Sequence, residues 1–149
     1  MENKDTLGRI VAIDFGQKRV GLAVTDELQI IATALDTVHV KDIFDYLQKY
    51  VLHENVEKFV VGQPRNLDNS ASDSQIFTEP FVRKLKKQFP QIPVFRVDER
   101  FTSKMAKDVI LNSGIGKMAR QDKNLVDKVS ATIMLQSFMQ QRFPTENIK

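Results

Sequence analysis

The sequence has no cysteine and only two histidines among its 149 residues. The lack of cysteine excludes disulfide bonds and thiolate metal sites. No apolar run approaches the roughly 18 to 20 residues that a membrane-spanning helix needs. The first residues, MENKDTLGRI, also lack the apolar core of a secretory signal. We therefore expect a cytoplasmic protein that does not insert into a membrane.

Linkers, internal repeats and low-complexity segments are also missing from the sequence. A chain of 149 residues is of ordinary size for one domain, and its 42% of hydrophobic residues suffice for a sizeable core. We predict that residues 1–149 form a single domain.

Positive charge is clustered although the net charge is only +3, from 22 basic and 19 acidic residues. One cluster is Arg83-Lys84-Leu85-Lys86-Lys87, and the segment Arg100–Lys128 holds seven basic residues against three acids. Each segment is either an ordinary solvated helix face or a surface that faces a polyanion. The sequence leaves both interpretations open.

Apolar patterning predicts a mixed α/β fold. Residues 9–15, 19–25 and 30–38 predict three antiparallel strands in a meander, and the short apolar runs 58–62 and 94–97 predict further strands. Helical periodicity covers 40–53, about 73–89, 102–114 and about 123–142, with a polar loop at 112–124. Pro80 should kink the second helix or mark a late start. The order β-β-β-α-β-α-β-α-α predicts a five-stranded mixed sheet flanked by helices.

Carboxylates stand at the ends of two predicted strands. Asp14 ends the first strand, and Asp98-Glu99 end the last. If these two strands lie side by side at the sheet centre, their C-terminal ends meet at the edge where such sheets form their sites. Asp127 lies near the start of the final helix, on a face that is otherwise apolar through Ala131, Met134 and Phe138. We therefore expect Asp127 to turn toward the sheet.

Each acid alone has an ordinary explanation: a turn residue, a local ion pair with Arg100, or a favourable charge at a helix N-terminus. Three acids at one edge would repel one another and need a cation. Hard oxygen ligands without cysteine favour Mg²⁺ or Mn²⁺. Two such ions can activate a water and stabilise the leaving oxygen of a phosphodiester. His39 and His53 flank the first predicted helix, away from these acids.

Four short motifs resemble, in the same order, those of the YqgF (RuvX) family. They are DFGQKRVGLA at Asp14–Ala23, VVGQP at Val60–Pro64, DERFTS at Asp98–Ser103, and Asp127 with Ala131 and Gln136. The likeness runs from about residue 9 to 139. It implies an RNase H-like fold similar to Holliday-junction resolvases of the RuvC type. It also implies a role in maturing the 5′ end of pre-16S rRNA, or in junction resolution.

The resemblance implies a two-metal nuclease whose catalytic acids also bind the metal. These are Asp14, Glu99 with Asp98 as the adjacent candidate, and Asp127. RuvC-type enzymes carry a glutamate in the strand after the first helix, whereas residues 59–63 here contain no acid. The Asp98-Glu99 acids would have to replace it from the neighbouring strand. Gln63 before the proline is a smaller departure from the family pattern.

Basic residues near these motifs are candidate contacts for nucleic acid, because the guanidinium fork in particular matches phosphate. Gly16 and Gly21 would let the backbone approach closely. For each arginine, the alternative is a salt bridge to a neighbouring acid. The candidates are Lys18, Arg19, Arg65, Arg100, Lys117 and Arg120.

Three other functions stay open. A junction resolvase would need a dimer to make two symmetric cuts. A non-catalytic ribosome-assembly factor would keep the fold and bind RNA. The first hairpin also fits the phosphate loop of the sugar-kinase, actin and Hsp70 type, but that fold needs two lobes and 149 residues supply one. The sequence does not choose between RNA and DNA, between endo- and exonuclease, or between monomer and homodimer.

Overall fold

Five strands form one mixed sheet with the first strand at its centre. The computed structural model describes residues 8–63, 75–98 and 123–148. Its strands are β1 (Arg9–Phe15), β2 (Arg19–Thr25), β3 (Ala32–His39), β4 (Val56–Gln63) and β5 (Val94–Asp98), in the order β3-β2-β1-β4-β5. β1 is antiparallel to β2 and parallel to β4, which is parallel to β5. The predicted five-stranded mixed sheet is confirmed.

The described helices pack on both faces of this sheet. They are α1 (Ile43–His53), preceded by a 3₁₀ turn at Val40–Asp42, α2 (Gln75–Gln88) and α3 (Lys123–Ile148). α2 begins five residues before Pro80, so the proline does not mark a late start. The helix predicted over 102–114 and the loop predicted over 112–124 lie outside the described residues. None of the helices in the described ranges could span a membrane.

The supposition that the first and last strands lie side by side at the sheet centre is wrong. β4 separates β1 from β5, so the first and last strands are not adjacent. Burial explains this order, since Phe59, Val60 and Val61 of β4 are fully buried while Phe95 of β5 is 41% exposed. A strand that is apolar on both faces is most stable inside the sheet. Because all three strands run parallel, their C-terminal ends still share one edge.

Side-chain alternation divides the core into two layers. On the α1/α2 face, strand residues pack against helices α1 and α2: Val11, Ile13, Val20, Leu22, Phe59 and Val61 against Leu47, Phe81 and Leu85. On the α3 face, a second set packs against the last helix: Ile10, Ala12, Ala23, Val60 and Val97 against Ala131, Met134, Leu135 and Phe138. Any polar residue at a strand end therefore belongs to one face or the other.

Candidate active site

Asp14 lies at the C-terminal end of the central strand, on the α3 face. It continues the alternation of Ile10 and Ala12, which are buried under α3, and is itself partly buried. Its partner across the antiparallel pair is Gly21 of β2. The strand thus carries a carboxylate out of the core at the edge where the parallel strands end.

Asp127 approaches the same place from the last helix. Ala131, Met134 and Phe138 are buried against the sheet, as their spacing predicts, and Asp127 continues their stripe toward the strand ends. Its side chain is 25% exposed, and its Oδ2 accepts a hydrogen bond from Arg19 Nε at 2.9 Å. The predicted orientation of this carboxylate toward the sheet is therefore confirmed.

Gly21 allows the helix to come this close. A methyl group at this position would overlap the backbone carbonyl of Asp127 and lie 3.1 Å from its Cβ. The residue opposite Asp14 is thus also the residue over which the Asp127 backbone passes. Close approach at Gly21 was expected from the sequence, but the group that approaches is helix α3 of the same chain.

A tight turn links β1 to β2 and borders the two acids. Gly16 N–H donates to Arg19 O at 3.0 Å, and a Cβ at Gly16 would lie 2.7 Å from that oxygen. Lys18 O accepts a hydrogen bond from Val40 N at 2.9 Å, which ties the turn to the start of the first helix. A pocket of about 280 Å³ is lined by Gly16, Gln17, Lys18, Arg19 and Asp127. Lys18 is exposed at its rim.

Asp98 lies on the other face of the sheet. Val97 is buried under α3, so alternation places Asp98 with Arg96 on the α1/α2 face. Arg96 confirms this side through its contact with Glu79 of α2. Asp98 is paired in register with Gln63 at the end of β4. It therefore shares the sheet edge with Asp14 but not the face.

Comparison with known proteins identifies the family. The family model described as "RuvX: Holliday junction resolvase" matches residues 8–141. The chain belongs to the RuvX family. A relative from Porphyromonas gingivalis, named "Putative pre-16S rRNA nuclease", is 54% identical over 133 residues, covering 89% of this chain and 96% of the relative. One of the same name from Bacteroides fragilis is 48% identical, covering 90% and 97%.

Two solved structures share the RNase H-like fold of this RuvX-family chain. The Fowlpox virus resolvase, solved with its substrate Holliday junction DNA, has a TM-score of 0.60 at 13% identity and covers 89% of this chain and 97% of that one. The RuvC of T. thermophilus, solved with a Holliday junction substrate, has a TM-score of 0.55 at 16% identity, covering 92% and 96%. The predicted RNase H-like fold is confirmed.

The structure brings together some of the predicted site residues of this RuvX-family member. Asp14, Asp127, Lys18 and Arg19 lie around one edge, on or beside the α3 face. Within the described ranges, no three His, Cys, Asp or Glu side chains form a group that could hold a metal ion. The other predicted residues, Glu99, Arg65, Arg100, Lys117 and Arg120, lie outside the described residues.

Sequence reasoning missed an ion pair at this edge of the RuvX-family fold. Arg96 donates to both oxygens of Glu79 at 2.9 and 2.8 Å, and to the carbonyls of Val61 and Gly62 at 3.3 and 3.1 Å. The hydrogen bonds from Arg96 hold the pKa of Glu79 below its usual value. Glu79 sits one residue before a proline inside a helix, and no sequence pattern signals a partner 17 residues away.

Proposed function

We propose that this chain is a metal-dependent nuclease that hydrolyses phosphodiester bonds at the 5′ end of precursor 16S rRNA. The observation that carries the proposal is the position of Asp14 and Asp127. They come from opposite ends of the chain and lie at one edge, on one face, of an RNase H-like sheet. The printed names of the curated relatives support pre-16S rRNA as the substrate.

We infer that the metal is Mg²⁺ or Mn²⁺, because carboxylate oxygens are the hard ligands these ions prefer. Asp14 and Asp127 would supply two of the ligands. Glu99 is a better third acid than Asp98, because alternation places Asp98 on the opposite face of the sheet. When bound, such ions activate a water and stabilise the leaving oxygen of a phosphodiester.

The residues around the acids would position the substrate. Arg19 binds Asp127 through Nε alone, and within the described residues its Nη groups have no hydrogen-bond partner. These donors and the exposed Lys18 border the 280 Å³ pocket at the strand edge. A guanidinium that orients a carboxylate with one nitrogen can contact a phosphate with the others. The salt-bridge alternative for Arg19 is therefore compatible with its predicted role in phosphate binding.

The test is cleavage of a 16S rRNA precursor that carries its 5′ extension. It is run with Mg²⁺ or Mn²⁺ and again with EDTA. Asp14→Asn, Asp127→Asn and Glu99→Gln are each expected to abolish cutting while thermal unfolding stays close to that of the parent. Asp98→Asn is the matched control, since it makes the same chemical change on the other face and is expected to keep activity. Full activity in Asp14→Asn would overturn the proposal.

Holliday-junction resolution is the second candidate, because the matching family model carries that description. A four-way DNA junction run beside the RNA precursor separates the two functions. Cutting of the junction alone would favour a resolvase, and a dimer in solution would then be expected. Binding of RNA without divalent metal, with neither substrate cut, would favour a non-catalytic ribosome-assembly factor.

A further inference from the structure

Helix α2 carries a concentrated positive charge. Its 14 residues, Gln75–Gln88, include four basic residues and one acid, a net +3. The whole chain is also net +3, so the rest of the sequence is balanced. The four basic residues follow one another within two turns, and all are exposed: Arg83, Lys84, Lys86 and Lys87.

The described acids form no ion pair with this face. In the parts of the chain that the structure describes, none of the four side chains lies within ion-pair distance of a carboxylate. The acid of the helix, Glu79, is held by two hydrogen bonds from Arg96. Lys84 lies with its Nζ 4.5 Å from the centre of the Phe44 ring, a contact that keeps its charge.

The basic face begins close to the proposed active site. Phe81 of α2 stacks on Phe15, the residue after Asp14, with ring centres 4.3 Å apart. From Phe81 to Lys87 the helix rises about 9 Å at 1.5 Å per residue. A polynucleotide that crosses the sheet edge at Asp14 would therefore meet Arg83 and Lys84 within one helical turn of that edge.

We propose that the outer face of α2 is a second nucleic-acid-binding surface, which contacts backbone phosphates of the strand that flanks the cleaved bond. This second proposal rests on the proposed function only because it takes the substrate to be a nucleic acid. Unpaired lysine and arginine side chains suit a polyphosphate, because each contact releases condensed counterions. An anionic membrane is a poorer fit, since Leu85, the one apolar residue between Arg83 and Lys87, is fully buried, and the exposed Ile76 and Phe77 lie at least six residues before Arg83.

The test measures binding in EDTA, so that cleavage does not intervene. The variant Arg83→Gln/Lys86→Gln/Lys87→Gln keeps Lys84 and its contact with Phe44. Fluorescence anisotropy with a labelled 16S precursor fragment and with duplex DNA of equal length gives the Kd over a range of salt. We expect an about ten- to hundredfold weaker Kd and a salt slope smaller by about 2. Arg83→Lys/Lys86→Arg/Lys87→Arg keeps the charges and should bind like the parent.

Lys49→Gln on α1 controls for position, because it removes one exposed charge from a helix of the same layer, and it should leave Kd nearly unchanged. An unchanged Kd and slope in the triple glutamine variant would overturn the proposal. So would weaker binding to phosphatidylserine vesicles with RNA binding intact. A parent protein that cuts nothing, but whose RNA and DNA affinity falls in the triple variant, would overturn the nuclease function and leave this surface standing.

Discussion

The two faces of the sheet both bury large side chains, but they differ in their aromatic and their small residues. On the α1/α2 face, aromatic rings fill the space between sheet and helices: Phe15 stacks on Phe81, and Phe59 meets Phe89 edge-on with ring centres 5.5 Å apart. The α3 face buries large residues as well, such as Ile10, Met134 and Phe138, but it also presents three small ones to the helix: Ala12, Gly21 and Ala23. Large side chains contribute more hydrophobic stabilisation, and small ones let backbones approach. Both faces therefore stabilise the fold, and the small residues of the second also let α3 bring the proposed catalytic acids together.

Among the described residues, each face also holds an arginine–carboxylate pair near the edge of the sheet where the parallel strands end. Arg96 binds both oxygens of Glu79 and two strand carbonyls on the α1/α2 face. Arg19 binds Asp127 through a single hydrogen bond on the α3 face. The pair with more hydrogen bonds is expected to matter more for stability, whereas the looser pair leaves a carboxylate and a guanidinium available for ligands.

The largest effect is expected from Phe59→Ala. This ring is fully buried, and its removal should lower the free energy of unfolding by about 3 to 5 kcal/mol. Urea denaturation followed by circular dichroism measures the loss. Phe95→Ala is the matched control, because Phe95 is 41% exposed and should cost much less. Equal losses in the two variants would contradict the stabilising role of the aromatic layer.

Gly21→Ala should act on the site more than on stability. The new methyl group would overlap the Asp127 carbonyl, so α3 must shift. This shift should lower the free energy of unfolding by about 1 to 3 kcal/mol. Cleavage should be lost while the protein remains folded, which circular dichroism and the cleavage assay test together. Ala12→Gly, a one-methyl change on the same face that adds no bulk, should keep cleavage. Full activity in Gly21→Ala would show that close approach of α3 is not required.

Glu79→Gln should lower the free energy of unfolding by less, about 1 kcal/mol at neutral pH, because the Arg96–Glu79 pair is partly exposed to solvent. The pKa of Glu79 is lowered in the folded protein, so its ion pair stabilises the fold above the unfolded-state value near 4.5. That contribution is lost as the pH falls through the folded-state pKa. The difference in unfolding free energy between parent and variant should therefore shrink in acid. If the difference in unfolding free energy did not change with pH, the ion pair of Glu79 would not be the source of the lost stability.

The smallest effect is expected from the Arg19–Asp127 pair. Its side chains are 35% and 25% exposed and share one hydrogen bond, so their coupling energy should be below about 1 kcal/mol. A double-mutant cycle with Arg19→Gln and Asp127→Asn, followed by urea denaturation, measures it. A coupling energy larger than the unfolding free energy lost in Glu79→Gln would contradict the expectation that the Arg96–Glu79 pair matters more for stability.

Local patterns in the sequence predicted the elements that carry the site. Apolar runs on either side of a short turn predicted β1 and β2, and the spacing of Asp127, Ala131 and Met134 predicted which side of α3 meets the sheet. The order of the parallel strands was not predictable in this way, because an apolar run shows that β4 is buried but not which strands lie beside it. Likewise, a glycine in a strand signals that something approaches, and only the folded chain shows that the backbone of α3 does.

The hydrogen bond between Arg19 and Asp127 joins residues 108 positions apart. During synthesis the N-terminal part of a chain emerges first and can begin to fold. The aromatic layer of the sheet is complete once Phe89 has emerged, but the α3 residues that pack on Ile10, Ala12, Ala23 and Val60 follow later in the chain. A nascent chain in that state has Asp14 without Asp127. Under the proposed mechanism, a chain without α3 would therefore be unable to cut RNA, and nuclease activity would appear only once α3 has been made.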